Sequence, residues 1–477
     1  MLDPKDWTAF RALSHAALDD ALDYLEGVRE RPAWQPVPSE VRARFAEALP
    51  EEPMPLEAVY REFAASILPY ATGNIHPRFF GWVHGTGTPT GALAELLAAT
   101  MNANVGGRDH GAVYVERQIV AWSRELFGFP ESASGVLTAG SSSANLIAVL
   151  VARTKALGTA VRENGIDLAQ GRLTAYTSSA AHGCVRRAFE VAGMGSASLR
   201  VLPADARHRL DPAAVARAIE VDRAHALRPF MIIATAGTVD VGAIDPLDEL
   251  AEVARREALW YHVDGAFGAT AILAPSVTAQ LKGLERADSL AFDFHKWLHV
   301  PYDAGCILVR DAELHRATFG SSAPYLTRMS RGLAGGAPWF TDFTLDLSRG
   351  FRALKIWFTM KEHGTRRLGE AIETNVRQAR RLGEMVEADD AFELLAPVAL
   401  NIVCFRYRRA GYGDEELDRL NDELVIRLQE SGLAVTSSTT VDGKRAIRAN
   451  ITNHRTRDED LTFLLDALKR IAGSVDR

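Results

Sequence analysis

The chain has 477 residues, of which 47% are hydrophobic and 24% charged, and its formal net charge is −7. That length suits two or three domains, or one large domain with appendages, of a soluble globular protein, and the acidic balance without a Lys/Arg-rich block argues against nucleic acid as a partner. No unbroken apolar run reaches membrane-spanning length, and three scattered cysteines (Cys184, Cys306, Cys404) suggest neither a disulfide framework nor a zinc or other metal site. The opening MLDPKDWTAF lacks a basic leader followed by an apolar core, so a cytoplasmic protein without a signal peptide is expected.

Residues 7–30 carry apolar residues at helical spacing, and a Pro-rich connector, PAWQPVP, follows at 32–38. Helical patterns return at 55–70 and 91–101. Helices joined by Pro-bearing loops, with little strand of their own, are poorly built to fold alone, so this N-terminal segment (1–90) is expected to pack against a partner subunit. The run GTGTPTG at 85–91 resembles a dinucleotide fingerprint only superficially: the spacing is wrong and Pro89 interrupts it, so it reads as a loop. From about 115 the pattern alternates short apolar strands (135–138, 173–177, 229–234, 260–263, 290–292 and 305–309) with amphipathic helices such as 246–257. Such alternation predicts an α/β domain (91–364) with a mainly parallel sheet. A long helical run at 366–387, strand-like stretches at 399–407 and 445–452, and helices at 415–431 and 458–472 predict a smaller α+β domain (365–477). No internal repeats or low-complexity tracts interrupt the pattern.

Four stretches carry chemistry. In GVLTAGSSSANL (135–146) a strand runs into Gly140 and three serines before a helix, which makes either an anion site at a helix N-terminus or an ordinary serine cap. In WYHVDGAFGA (260–269) Asp264 closes an apolar strand, where open α/β sheets bind ligands; it reads as a buried carboxylate with a cationic partner, or as a turn Asp. In AFDFHKWLH (291–299) Lys296 follows another strand and points either to solvent or into the same crevice, where a desolvated amine attacks carbonyls. His182, in AHGCVRRA (181–188), is either a helix-capping or core histidine or an imidazole placed to stack on a cofactor. Together, an anion site, a strand-end carboxylate and a strand-end lysine match what pyridoxal phosphate requires.

With DYLEGVRERP, HPRFFGW, GSSSAN, ATAGTVDVGAIDPL, HVDGAFG, FDFHKWLHVPYDAG and SRGFRALKIWF in order along nearly the whole chain, the sequence resembles the group II pyridoxal-phosphate-dependent amino acid decarboxylases, of the aromatic-L-amino-acid-decarboxylase-like kind. The resemblance implies PLP fold type I (aspartate-aminotransferase-like), with a central, mainly parallel seven-stranded sheet. It further implies a homodimer with shared active sites whose N-terminal helices wrap over the partner. By position, Lys296 is the Schiff-base lysine, Asp264 the partner of the ring nitrogen, and His182 the stacking histidine. Ala266 lies against the ring, Ser142 and Ser143 cradle the phosphate, and Thr238 and His295 line the cofactor site. Ser348 matches a position whose backbone reaches the partner's phosphate. Tyr325 stands for the loop tyrosine that protonates the substrate carbon after carbon dioxide leaves. Its loop, 323–340, has the glycines Gly332, Gly335 and Gly336 that a closing lid needs.

Several positions depart from the family pattern. Asp293-Phe294 replaces Asn-Pro, and a carboxylate close to a phosphate repels it unless well bonded or turned away. Trp82, Val83 and His84 replace the substrate-lining Tyr-Phe-Pro run of relatives acting on aromatic amino acids. Arg108, Asp109 and His110 replace a mostly apolar segment. The expected reaction is decarboxylation of an L-amino acid to its amine, with an aromatic substrate. Because of His84 and Arg108, acidic amino acids and histidine stay open. A decarboxylating aldehyde synthase is disfavoured by Tyr325 and His182, and a catalytically silent scaffold by the filled catalytic positions. Arg448 is the one candidate for a transaminase-type carboxylate clamp and is expected to be structural instead.

Overall fold

The computed structural model describes residues 2–320 and 327–475. The helices, in chain order, are α1 (Trp7–Glu26), α2 (Ser39–Arg44), α3 (Leu56–Ser66), α4 (Pro89–Met101), α5 (Gly111–Phe127), α6 (Ser141–Leu157) and α7 (Val161–Asn164). They continue with α8 (Gly183–Val191), α9 (Pro212–Ala224), α10 (Leu247–Glu257), α11 (Ala312–Phe319), α12 (Ala353–Glu387), α13 (Asp414–Glu430) and α14 (Asp458–Ala472). The strands are β1 (Phe79–Phe80), β2 (Ser134–Thr138), β3 (Leu173–Ser178), β4 (Leu199–Leu202), β5 (Arg228–Thr235) and β6 (Trp260–Asp264), then β7 (Ser289–Asp293), β8 (Gly305–Val309), β9 (Phe392–Leu394), β10 (Ile402–Tyr407), β11 (Val435–Val441) and β12 (Lys444–Asn450). They form two compact units: Val83–Arg381 with Ala396–Val403, and Met1–Trp82 with Leu382–Leu395 and Cys404–Arg477.

In the larger unit seven strands form one sheet in the order β2-β8-β7-β6-β5-β3-β4. β8 runs antiparallel to both neighbours, and the remaining pairs are parallel. The expected mainly parallel sheet is therefore present. Its inner strands are apolar runs buried along their whole length, such as Ser289–Asp293 and Gly305–Val309, because helices cover such sheets and leave no solvent face. Helix α6 packs on β7 and β8, and α10 on β5 and β6. α10 has Asp248 and Glu249 in its first turn and Arg255 and Arg256 in its last, the polarity a helix dipole favours. Edge strand β4 escaped the sequence reading: Leu-Arg-Val-Leu is half-exposed and offers no apolar run. The GTGTPTG stretch is a loop that enters α4, with the Thr88 hydroxyl capping that helix and Pro89 in its first turn.

The smaller unit has a five-stranded sheet, β1-β11-β12-β10-β9. Short β1 pairs in parallel with β11, and Ala33, Phe79 and Val435 form a buried cluster there. Arg29 bonds both oxygens of Asp460 and the Arg455 carbonyl, fixing the N-terminal segment within this unit. Strands β9 and β11 were not expected; VTSSTTV is too rich in hydroxyls to read as apolar. The predicted helix at 366–387 belongs to the longer α12, interrupted at Gly364 (φ +63°), a conformation that glycine takes without strain. No helix among the described residues is long and apolar enough to cross a membrane.

Candidate active site

β6, β7 and β2 deliver their C-terminal ends to one edge of the sheet, where parallel sheets place ligands. Asp264 is the last residue of β6 and is buried. Its Oδ1 accepts the Ala266 N–H at 3.2 Å, its Oδ2 accepts the Asn145 amide N–H at 3.1 Å, and the Cys184 Sγ lies 3.9 Å from Oδ2. Burial pushes the Asp264 carboxyl up, and the positive charge of Lys296 opposes that shift. Burial and the Asp264 charge push the Cys184 thiol up to about 12, so Cys184 stays protonated and can donate.

Lys296 follows β7 by three residues and is mostly buried, its side chain 22% exposed. Its Nζ lies 3.2 Å from Asp293 Oδ2. His295 Nε2 is 3.6 Å from the same oxygen, and its Nδ1 accepts the Ala304 N–H, so the ring proton is on the side facing Asp293. Burial lowers the His295 pKa, with Asp293 opposing. The His295 ring stacks on Tyr302 with centroids 4.3 Å apart. The Lys296 turn is also held from outside: a Cβ on Gly85 would lie 1.8 Å from the His295 carbonyl oxygen, so only glycine permits this approach. Asp293, the least explained residue of the sequence, is thus a buried carboxylate paired with the lysine. Its other oxygen, Oδ1, has no hydrogen-bond partner among the described residues and faces the Gly140–Gly305 contact.

Gly140 precedes α6, whose N-terminus has no side-chain cap. Ser141 is buried and its Oγ has no partner among the described residues. Ser142 and Ser143 occupy the exposed first turn. His182 is exposed and caps α8 by accepting the Cys184 N–H at 3.2 Å, yet Asp264 also feels its charge, so the cap and a place beside the carboxylate coincide. Thr238 is fully buried, and its hydroxyl accepts the Ala243 N–H, which secures the turn after β5. Ala266, besides bonding Asp264, accepts the Asp293 N–H and so ties the ends of β6 and β7. Val83 is buried; burial, and then the Lys296 charge, lowers the His84 pKa. Ser348 is exposed beside Arg349, which is fully buried against Glu116. Arg108 lies over the Trp339 ring, Asp109 accepts the Tyr114 hydroxyl, and His110 bonds the Asn104 carbonyl, so this trio packs locally within the larger unit. In the smaller unit, Trp82 is half-exposed with φ +48°, and Arg448 donates to its carbonyl and to Ser437 Oγ. Tyr325 lies outside the described residues.

Four residues around the site were not singled out from sequence: Asn145, Cys184, His262 and Tyr302. The signals were there but faint. Asn145 lies one helical turn beyond Ser141, and His262 lies two residues before Asp264, hence on the same face of β6.

The pyridoxal-dependent decarboxylase conserved domain matches residues 38–408. An aromatic-L-amino-acid decarboxylase of Bacillus atrophaeus is 31% identical over 98% of this chain and 96% of its own. A phenylacetaldehyde synthase of Petunia hybrida is 28% identical over 94% and 90%. The crystal structure of Oryza sativa TDC with PLP and tryptamine superposes with a TM-score of 0.90 at 28% identity, covering 99% of each chain. The residues present fit pyridoxal phosphate. An uncapped helix start with a partnerless buried hydroxyl suits its phosphate, and a buried carboxylate suits a protonated ring nitrogen. A Cβ on Gly140 would come within 3.4 Å of the His295 ring, narrowing the cradle between them. On the sheet edge that carries Asp264 and Lys296, sequence, fold and chemistry agree: this chain belongs to the pyridoxal-dependent decarboxylase family and is a pyridoxal-phosphate-dependent carboxy-lyase acting on amino acids.

Proposed function

We propose that the protein decarboxylates an aromatic L-amino acid to its amine, as a cytoplasmic homodimer with pyridoxal phosphate attached through Lys296. The observation that carries the site assignment is the juxtaposition of two adjacent strand ends: buried Asp264 closing β6, and mostly buried Lys296 following β7, whose positive charge acts on Asp264. When bound, pyridoxal phosphate supplies an electron sink for the pair left behind as carbon dioxide departs. Asp264 keeps the ring nitrogen protonated. Ser142, Ser143 and the first turn of α6 receive the phosphate, assisted by His295 and Thr238, with Ser348 contributing to the partner's site. His182 would cover one face of the ring and Ala266 the other. Lys296 Nζ, held beside Asp293, would hold the cofactor through its aldehyde group and give way to the substrate amine. Tyr325 supplies the proton that replaces carbon dioxide.

The aromatic reading draws on the Bacillus atrophaeus and Oryza sativa relatives and keeps Trp82, Val83 and His84 in the substrate-lining role. His84 supports it further: burial favours its neutral ring, which suits an aromatic substrate better than an acidic one. The dimer is supported by α1, which buries none of its residues while Trp7, Phe10, Leu18 and Leu22 stay exposed. The test is a product screen of the cofactor-loaded enzyme against tryptophan, tyrosine, dopa, phenylalanine, histidine, glutamate and aspartate. One carbon dioxide per aromatic amine is expected. Turnover confined to an acidic amino acid or histidine would overturn the substrate class, and hydrogen peroxide released in step with carbon dioxide would make the protein an aldehyde synthase.

A further inference from the structure

Behind Asp264 a chain of buried polar groups runs through the larger unit. Trp260, His262 and Asp264 share one face of β6, and His262 pairs in register with Ser289 of β7. The Trp260 Nε1–H donates to Ser289 Oγ at 2.8 Å, Ser289 Oγ lies 2.8 Å from His262 Nδ1, His262 Nε2 lies 2.7 Å from Asn145 Oδ1, and Asn145 Nδ2 donates to Asp264 Oδ2 at 3.1 Å. Every member is at most 7% exposed.

The chain has a single sense. Asp264 Oδ2 as a carboxylate only accepts, so the Asn145 amide turns its N–H toward it and its oxygen toward His262. His262 must then carry its proton on Nε2, which leaves Nδ1, 2.8 Å from the Ser289 hydroxyl and 3.1 Å from the Ser289 carbonyl oxygen, to accept from the hydroxyl; that hydroxyl oxygen accepts from Trp260. Burial holds His262 down to about 3, so the ring is neutral with one proton, as this pattern needs. The carboxylate sets which edge the amide turns to it, and the imidazole behind, itself held by Ser289, keeps the amide in place.

We propose that Asn145, oriented by His262 and Ser289, is a positioning residue that tunes Asp264 and thereby keeps a proton on the cofactor's ring nitrogen. The proposal rests on Asp264 as partner of that nitrogen. A donated N–H stabilises the ionised carboxylate and makes it a weaker base. The shared proton then stays on the ring nitrogen instead of passing to Asp264. Without the donor, Asp264 becomes more basic and competes for it. Losing one hydrogen bond to a charged group changes the sharing of that proton by about tenfold to a hundredfold.

The test is the nitrogen-15 resonance of ring-labelled pyridoxal phosphate bound to the enzyme, followed from about pH 6 to 9. Wild type is expected to show a protonated ring nitrogen throughout. Asn145→Ala and His262→Phe should shift the resonance toward the unprotonated nitrogen across that whole window, and His262→Gln, which keeps an N–H donor, should restore the wild-type signal. In the same variants kcat should fall about tenfold while KM changes little, since the lost interaction acts on the reacting ring and not on substrate binding. Ser289→Ala, a smaller change, should shift the resonance in the same direction and decides the question if His262→Phe does not fold. Asp264→Asn separates the two readings. If it leaves the ring nitrogen protonated, the assignment of Asp264 falls and the relay with it. If it deprotonates the ring while Asn145→Ala and Ser289→Ala match wild type, the relay alone is overturned.

Discussion

Glu116 and Arg349 form an ion pair at zero side-chain exposure, and replacing Glu116 by glutamine should destabilise the enzyme severely. Arg349 donates to both Glu116 oxygens, to the Val105 carbonyl at 2.8 Å and to the Leu137 carbonyl at 2.7 Å; Glu116 Oε1 also accepts the Leu137 N–H. These bonds tie the Val105 loop, β2 and the 348–350 turn together. Removing one partner leaves a buried charge without compensation, at a cost of about 3–5 kcal/mol. Glu116→Leu with Arg349→Met removes both charges, so the double variant should be more stable than the sum of the single losses predicts. It should not return to wild type, because the Val105 and Leu137 carbonyls lose the donor at Arg349. Urea denaturation of the cofactor-saturated enzyme, followed by tryptophan fluorescence, measures Glu116→Gln, the single variants Glu116→Leu and Arg349→Met, and the double variant. A Glu116→Gln enzyme within about 0.5 kcal/mol of wild type would refute the reasoning, since surface positions alone tolerate charge loss that well.

Gly85→Ala should cost about 3 kcal/mol and weaken cofactor binding, because the new Cβ meets backbone atoms of His295 and Lys296 that cannot move independently; unchanged affinity would mean the loop yields. Asp293→Asn should tighten the cofactor dissociation constant about tenfold, by removing a negative charge facing the start of α6, and looser binding would count against that placement. Acid should destabilise the fold through His315, which burial holds down to about 3 and which bonds the Ser134 hydroxyl and the Phe343 carbonyl. The unfolded chain binds protons below about 6.5 that the native ring refuses, so this contribution is intact above that pH and is lost as pH falls, by about 2 kcal/mol at pH 5. Asp245, raised to about 6 by burial, works in the opposite sense, so the comparison must isolate His315. Between pH 7.5 and 5.0, His315→Gln should lose about 2 kcal/mol less stability than wild type in urea titrations, and an equal loss would contradict the assignment.

What the sequence disclosed follows from how each residue type behaves. Asp264 and Lys296 stood out because a charge ending an apolar strand demands an explanation, and both strands lie where the pattern put them. The parallel sheet was legible because its inner strands are uninterrupted apolar runs. β4 was not, since an edge strand keeps Arg200 and Val201 partly in water and loses that signature. Asn145 and His262 were quoted within motifs and passed over, because a buried polar residue shows its importance only through partners distant in sequence. Asp293 carried the opposite lesson: its clash with an expected phosphate was visible, whereas its pairing with Lys296 needed the turn after β7. His182 resisted a choice between cap and active-site residue because in the structure it caps α8 and sits within the field of Asp264.

The claim on which the rest depends is that Lys296 is the residue carrying the cofactor. Borohydride reduction of the loaded enzyme, followed by proteolysis and mass spectrometry, tests it directly. The account predicts one pyridoxyl group per chain, on the peptide containing Lys296, and none on that peptide in Lys296→Ala. A label on a different lysine, or undiminished labelling and decarboxylation in Lys296→Ala, would contradict it.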